Sequence, residues 1–202
     1  MSADARRTEE MKTIRDEVWN LTDSPLYAYR KRNRYYPVLG EGNHQAQIMF
    51  IGEAPGKTEA ETGRPFCGQA GKLLDELLAS VSLDRTSVYI TNIVKDRPPD
   101  NRDPAPEEIR LYSPFLLRQI GTIQPKIIAT LGRFSMQFIL ETYDVAEKRQ
   151  TISLLHGRLL KAQTSSGDIH IVPLFHPAVA LYNANSKQTL FTDFQVLRQL
   201  LA

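Results

Sequence analysis

Residues 47–52 read QIMFIG, and Glu53-Ala54-Pro55-Gly56 follows at once. A short run that is apolar on both alternating faces and closed by turn formers suits a strand covered on two sides. Working outward, three more stretches have the same character: Val88–Val94 (VYITNIV), Lys126–Leu131 (KIIATL) and Ile169–Phe175 (IHIVPLF). Helical patterns lie between and after them. Gly71–Val81 sets Leu73, Leu74, Leu77, Leu78 and Val81 on one stripe. Pro106-Glu107-Glu108 reads as a helix start, with proline in the first turn and carboxylates at the positive end of the dipole. That helix would turn Ile109, Tyr112, Leu116 and Ile120 inward, and Pro114 should kink or restart it. Gly132–Leu140 is a shorter candidate, and Lys187–Leu201 repeats Leu190, Phe194, Leu197 and Leu201. Strands separated by helices imply parallel crossovers. The expectation is an α/β fold: residues 1–202 as one three-layer domain, with a central parallel sheet of about four strands flanked by helices.

In such sheets the ligand crevice lies beyond the carboxyl ends of the strands. The first strand ends in Gly52-Glu53, the second carries Asn92, the third ends in Gly132-Arg133 and the fourth in Phe175-His176. A carboxylate, an amide and an imidazole therefore converge on one edge.

The chain has 202 residues with 25 basic and 23 acidic side chains, a net charge of +2 that does not itself argue for nucleic acid. Its single cysteine, Cys67, excludes an internal disulfide, a thiolate zinc site and a cysteine-ligated iron–sulfur cluster. No apolar run approaches the roughly 18 residues of a membrane span. The charged start MSADARRTEEMK has no apolar core of a secretory signal, so a cytoplasmic protein is expected. Charge is concentrated in residues 27–36, YAYRKRNRYY, where Arg30, Lys31, Arg32 and Arg34 interleave with tyrosines. Such a stretch suits a phosphate backbone with aromatic platforms. It equally suits a solvated loop whose tyrosines pack on the body of the protein.

GEAPG (Gly52–Gly56) could cradle phosphate, but no GKS or GKT follows, and the Glu53 carboxylate would repel one. A carboxylate there is better placed to polarise water or face a developing positive charge. In GRPFCGQAG (Gly63–Gly71), small residues would let backbone approach a flat ligand while Phe66 covers its face. Phe66 as an ordinary core residue is the plainer alternative. No Ser-His-Asp, HExxH or paired-metal spacing is present, so serine or metal hydrolysis has no support.

Taken together, GEAPGxxE, GxPFxGxAGxLLxxxL, VYITNxVKxRPPxNR, LLxQI, PKxIxxLG and FHPA occur in this order between Gly40 and Asn183. This set resembles the family-4 uracil-DNA glycosylases over most of the chain, a family whose fold is also a parallel sheet between helices. The resemblance implies that Glu53, flanked by Gly52 and Ala54, activates water or stabilises an oxocarbenium ion. It implies that Phe66 stacks on a flipped base, Asn92 reads the pyrimidine edge, and His176 stabilises the O2 side of the leaving base. Glu59 would wall the pocket near C5. Residues from Pro177 and Ala178 to Asn183, Tyr182 included, would lie against DNA.

The family commonly carries four cysteines on an iron–sulfur cluster. The matching positions here are Leu21, Ser24, Asp96 and Leu111, from which we expect Leu21 to pack toward Leu111 and Asp96 to bond Ser24 or an arginine. Ala60 replaces a common aspartate. Arg97–Pro106 (RPPDNRDPAP) holds no histidine for covalent trapping, and no lysine aligns with a Schiff-base position. The expected activity is hydrolysis of the N-glycosidic bond of uracil in DNA, leaving an abasic site, by a monomer with no cofactor, metal or membrane partner. Broader specificity for deaminated bases, and a non-catalytic DNA-binding replication accessory on the same fold, are the alternatives.

Overall fold

A computed structural model describes residues 3–164, 167–181 and 183–201; Tyr182 and the Leu201 side chain lie outside the described residues. Helices α1 (Ala3–Trp19) and α2 (Tyr27–Asn33) lead into strand β1 (Glu41–Gly42) and then β2 (Ile48–Gly52). Next come α3 (Lys57–Thr62), α4 (Gln69–Ser80), β3 (Tyr89–Asn92), α5 (Pro106–Ile123), β4 (Ile127–Leu131) and α6 (Arg133–Thr142). The chain closes with α7 (Ile152–Leu155), β5 (Leu160–Thr164), β6 (Gly167–Leu174) and α8 (Ala184–Leu201).

The described strands form one six-stranded sheet in the order β1-β3-β2-β4-β6-β5. Its centre is the expected parallel set β3, β2, β4 and β6, with Phe50 opposite both Ile90 and Ala129. The antiparallel edges β1 and β5 correct the expectation of about four strands. Two residues of β1 are too few to show a period. In β5, buried Leu160 and Ala162 alternate with exposed Lys161 and Gln163 in the half-covered manner of an edge.

Side-chain alternation along the central strands builds two cores. Ile48, Phe50, Ile90, Ala129, Leu131, Val172 and Leu174 pack with Leu74 and Leu77 of α4 and with Leu190, Phe194 and Leu197 of α8. Met49, Ile51, Tyr89, Ile128 and Ile171 pack on the other face with Ile14 of α1, Leu116 and Ile120 of α5, and Met136 and Ile139 of α6. Complete burial of each large aliphatic or aromatic chain is worth about 1.5–3 kcal/mol, so these layers outweigh any single polar contact in holding the strand ends together.

Two local expectations need correction. Pro114 does not restart α5, which continues as one helix from Pro106 to Ile123. The carbonyl that the proline cannot serve, that of Arg110, instead accepts the Ser113 hydroxyl at 3.3 Å. The basic stretch is not a loop at its centre but helix α2, and Arg30 is withdrawn from any DNA-contacting role. Only 5% exposed, Arg30 donates to both Asp96 carboxylate oxygens at 3.1 and 3.0 Å and to the carbonyls of Val18 and Trp19.

That ion pair occupies the place where the resemblance puts an iron–sulfur cluster. Tyr112 donates to Asp96 at 2.6 Å and accepts from Ser24 at 2.7 Å, while Leu21 and Leu111 both pack on the cluster of Val18, Leu26, Val94 and Tyr112. Leucine offers no ligand atom, and both Asp96 oxygens are engaged, so these residues do not fit an iron–sulfur cluster. Removing one partner of a buried pair strands the other charge. We therefore expect Arg30→Met to cost about 3–5 kcal/mol of unfolding free energy in urea titrations, with exposed Lys31→Met within about 0.5 kcal/mol of wild type. Equal stability of the two variants would contradict the assignment.

Candidate active site

The parallel register sets Gly52 beside Asn92 at the carboxyl edge of the sheet. A Cβ on Gly52 would come within 2.3 Å of Asn92 Oδ1 and 2.7 Å of Phe66 Cζ, so only glycine admits both side chains. Phe66 reaches its place through a left-handed backbone, φ 46°, which is rare for an aromatic residue. Two contacts hold it. Glu59 Oε1 accepts the N–H groups of Cys67 and Gly68 at 3.0 and 2.9 Å, and Gly71 of α4 leaves room for the Phe66 carbonyl, which any Cβ there would strike at 1.8 Å. The Phe66 ring lies 5.6 Å from that of His176, which follows β6.

These side chains share one pocket of about 410 Å³ lined by Glu53, Ala54, Pro55, Gly56, Glu59, Phe66, Ala70, Asn92, Pro98, Asn101, Arg102, His176 and Ala178. Glu53, Glu59, Phe66, Asn92 and His176, expected from sequence to meet, do meet. Gly52 acts by its missing side chain. Pro177 is buried at the start of a short 3-10 turn (Pro177–Ala180), so of Pro177 and Ala178 it is Ala178 that lines the pocket beside His176. Lys31, Arg32 and Arg34 are exposed on or just after α2, outside the pocket lining.

Sequence reasoning did not assign the wall made by Pro98, Asn101 and Arg102. The signal was present in RPPDNR, since paired prolines followed by Asp-Asn favour a tight turn with left-handed residues. Asp100 and Asn101 both have positive φ, at 54° and 53°. Asn101 Oδ1 accepts from Arg97 Nε at 2.7 Å, and Arg97 Nη1 donates to the hydroxyls of Tyr29 and Tyr35 at 3.0 and 3.1 Å. Two tyrosines of the basic stretch thus serve the pocket wall from behind. Arg102 is fixed by a two-pronged contact with Glu108, at 2.9 and 2.6 Å.

The ionisable groups are driven apart by their surroundings. Burial pushes the half-buried Glu53 carboxyl up to about 7; Asp103 adds to the rise and Arg133 opposes it. Burial pushes His176 down to about 4, against the pull of Glu59. Its Nδ1 accepts the Ala178 N–H at 3.1 Å, so the neutral ring carries its proton on Nε2 and has one donor left to offer. Asn92 is 2% exposed, and its Oδ1 has no hydrogen-bond partner. A buried amide oxygen left unpaired costs about 1–3 kcal/mol unless a ligand pairs it.

An aromatic wall, an amide with an unpaired oxygen, a neutral imidazole with one N–H to donate and a carboxyl raised toward neutrality line one pocket, a set whose chemistry suits a flat heterocycle and attack by water. Residues 39–197 match the family model of the uracil DNA glycosylase superfamily, and the chain belongs to that superfamily. It is 42% identical to the type-4 uracil-DNA glycosylase of Sulfurisphaera tokodaii, covering 95% of this chain and 85% of that protein. Identity to the type-4 enzyme of Archaeoglobus fulgidus is 41%, over 95% and 94% of the two chains. The type-4 enzyme of Thermotoga maritima is 39% identical, over 90% and 88%.

A base must be ionised to accept a proton from water. With Glu53 near 7, kcat/KM should fall about tenfold per pH unit below that value and level off above it. His176, already neutral from about 4 upward, should add no inflection near neutrality. Asp103→Asn removes a charge that raises Glu53, so the acid limb should move to lower pH; a profile unchanged by that substitution would remove Glu53 as the titrating group.

Proposed function

We propose that the chain, acting as a one-domain cytoplasmic monomer, hydrolyses the N-glycosidic bond of uracil in DNA and leaves an abasic site. The observation that carries this reading is the buried Asn92 amide, its Oδ1 without a hydrogen-bond partner, in the lining of the same pocket as Phe66, His176 and Glu53. Uracil presents an N3–H donor beside an O4 acceptor, which one carboxamide pairs through Oδ1 and Nδ2 together. Cytosine offers a bare N3 in that place, and two acceptors would then face each other.

The base enters by leaving the duplex stack, at a cost of a few kcal/mol that mismatches and single strands reduce. Phe66 covers its face. As the glycosidic bond lengthens, negative charge gathers on the pyrimidine, and the Nε2–H of His176 is the donor available to O2. Glu53, ionised, takes a proton from the attacking water and faces the positive charge on the sugar. Glu59 walls the pocket on the C5 side, and Ala178 and the residues after it meet the DNA. Lys31, Arg32 and Arg34 supply contacts to phosphates.

A labelled oligonucleotide containing uracil, treated with the protein and then with alkali, should be cut at the uracil. Binding without cutting would instead favour a DNA-binding accessory protein. Asn92→Ala should lower the excision rate about tenfold or more, since a two-pronged base contact is worth ~1–3 kcal/mol. Neutralising Lys31, Arg32 and Arg34 together should flatten the dependence of log K on log salt, by about 0.9 for each duplex phosphate that no longer meets a cation. An unchanged slope would return α2 to a purely structural role.

A further inference from the structure

Lys95 lies three residues beyond Asn92 and is 0% exposed. Its Nζ has three neighbours within hydrogen-bond reach: the Asn92 carbonyl at 2.7 Å, Thr91 Oγ1 at 2.8 Å and Gln119 Oε1 at 2.6 Å. The orientation of the last two follows from what lies behind them. The Leu39 carbonyl, which can only accept, receives Thr91 Oγ1–H at 2.7 Å and Gln119 Nε2–H at 2.8 Å. Thr91 Oγ1 and Gln119 Oε1 are therefore left as acceptors toward Lys95. Three acceptors around one nitrogen call for three N–H bonds, which is an ammonium.

Burial works against that charge and pulls the Lys95 pKa well below its ordinary value. No carboxylate is among its hydrogen-bond partners in the described residues. The network must therefore do something that an apolar side chain would not. Edge strand β1 pairs with Tyr89 and Ile90 alone, so Thr91 and Asn92 run past its end without a partner strand on that side. At this point Lys95 takes hold of the Asn92 peptide, and through Gln119 ties it to α5.

We propose that Lys95 is a positioning residue for Asn92: its buried ammonium pins the last peptide of β3 so that the amide meets the base in one placement. The inference rests on Asn92 being the base-reading amide.

The test is a double-mutant cycle on uracil excision, with single-turnover rate, KM and thermal midpoint measured for each protein. Lys95→Met should lower the single-turnover rate about tenfold or more while KM moves by less than about threefold, the pattern expected when an interaction made only in the transition state is removed. In the Asn92→Ala background the same substitution should cost less than about twofold, because the group it positions is gone. Thr91→Val, a milder change that removes one acceptor, should give a smaller loss that also disappears in that background; it decides the matter if Lys95→Met does not fold. A wild-type chain that cannot excise uracil overturns the proposed function and this inference with it. An active wild type overturns the inference alone if Lys95→Met keeps its full rate, or if the loss is equal in both backgrounds.

Discussion

A side chain at Gly52 would have nowhere to go. The ladder between β2 and β3 fixes the Asn92 amide over Gly52, and the Phe66 ring occupies the rest of the same space. Backbone pairing therefore sets the floor of the slot, and the connections that carry Phe66 and Pro98–Arg102 wall it. The placement of both Asn92 and Phe66 depends on that one missing methyl group. The strand ends bring the chemistry together, and the two apolar layers keep them from drifting.

The pocket also separates its ionisable groups by environment. One carboxylate rises toward neutrality while the imidazole falls well below it, so at pH 7 the ring is neutral, with Nδ1 accepting from Ala178 and only Nε2–H left to donate, and the carboxylate is poised as an acceptor. Burial is the leading cause of both shifts, acting in opposite directions on an acid and a base. Glu59 has a different duty. Its oxygen is spent on two backbone N–H groups and so secures the strained Phe66.

Much of this is legible in the chain. The runs at 47–52, 88–94, 126–131 and 169–175 carry the parallel centre because strands buried on both faces leave a continuous apolar mark. Glu53, Asn92 and His176 follow from standing at strand ends. Phe66 stands out by its small neighbours, but nothing in sequence gives its left-handed backbone. β1 and β5 escape such a reading because an edge strand need be neither long nor apolar. Arg30 misleads for a physical reason: cationic residues so close together look alike until the fold turns one of them inward onto Asp96. Lys95 stays hidden for the same reason, since a lysine in a polar turn gives no sign that it will be enclosed.

The corner formed by Arg30, Asp96, Tyr112 and Ser24 has one more implication. Every atom in it comes from the polypeptide, and none of its links depends on an oxidation state. Such a joint needs only the side chains that the fold itself brings together. Its integrity is thereby tied to the folding equilibrium alone, and to no supply line outside the protein.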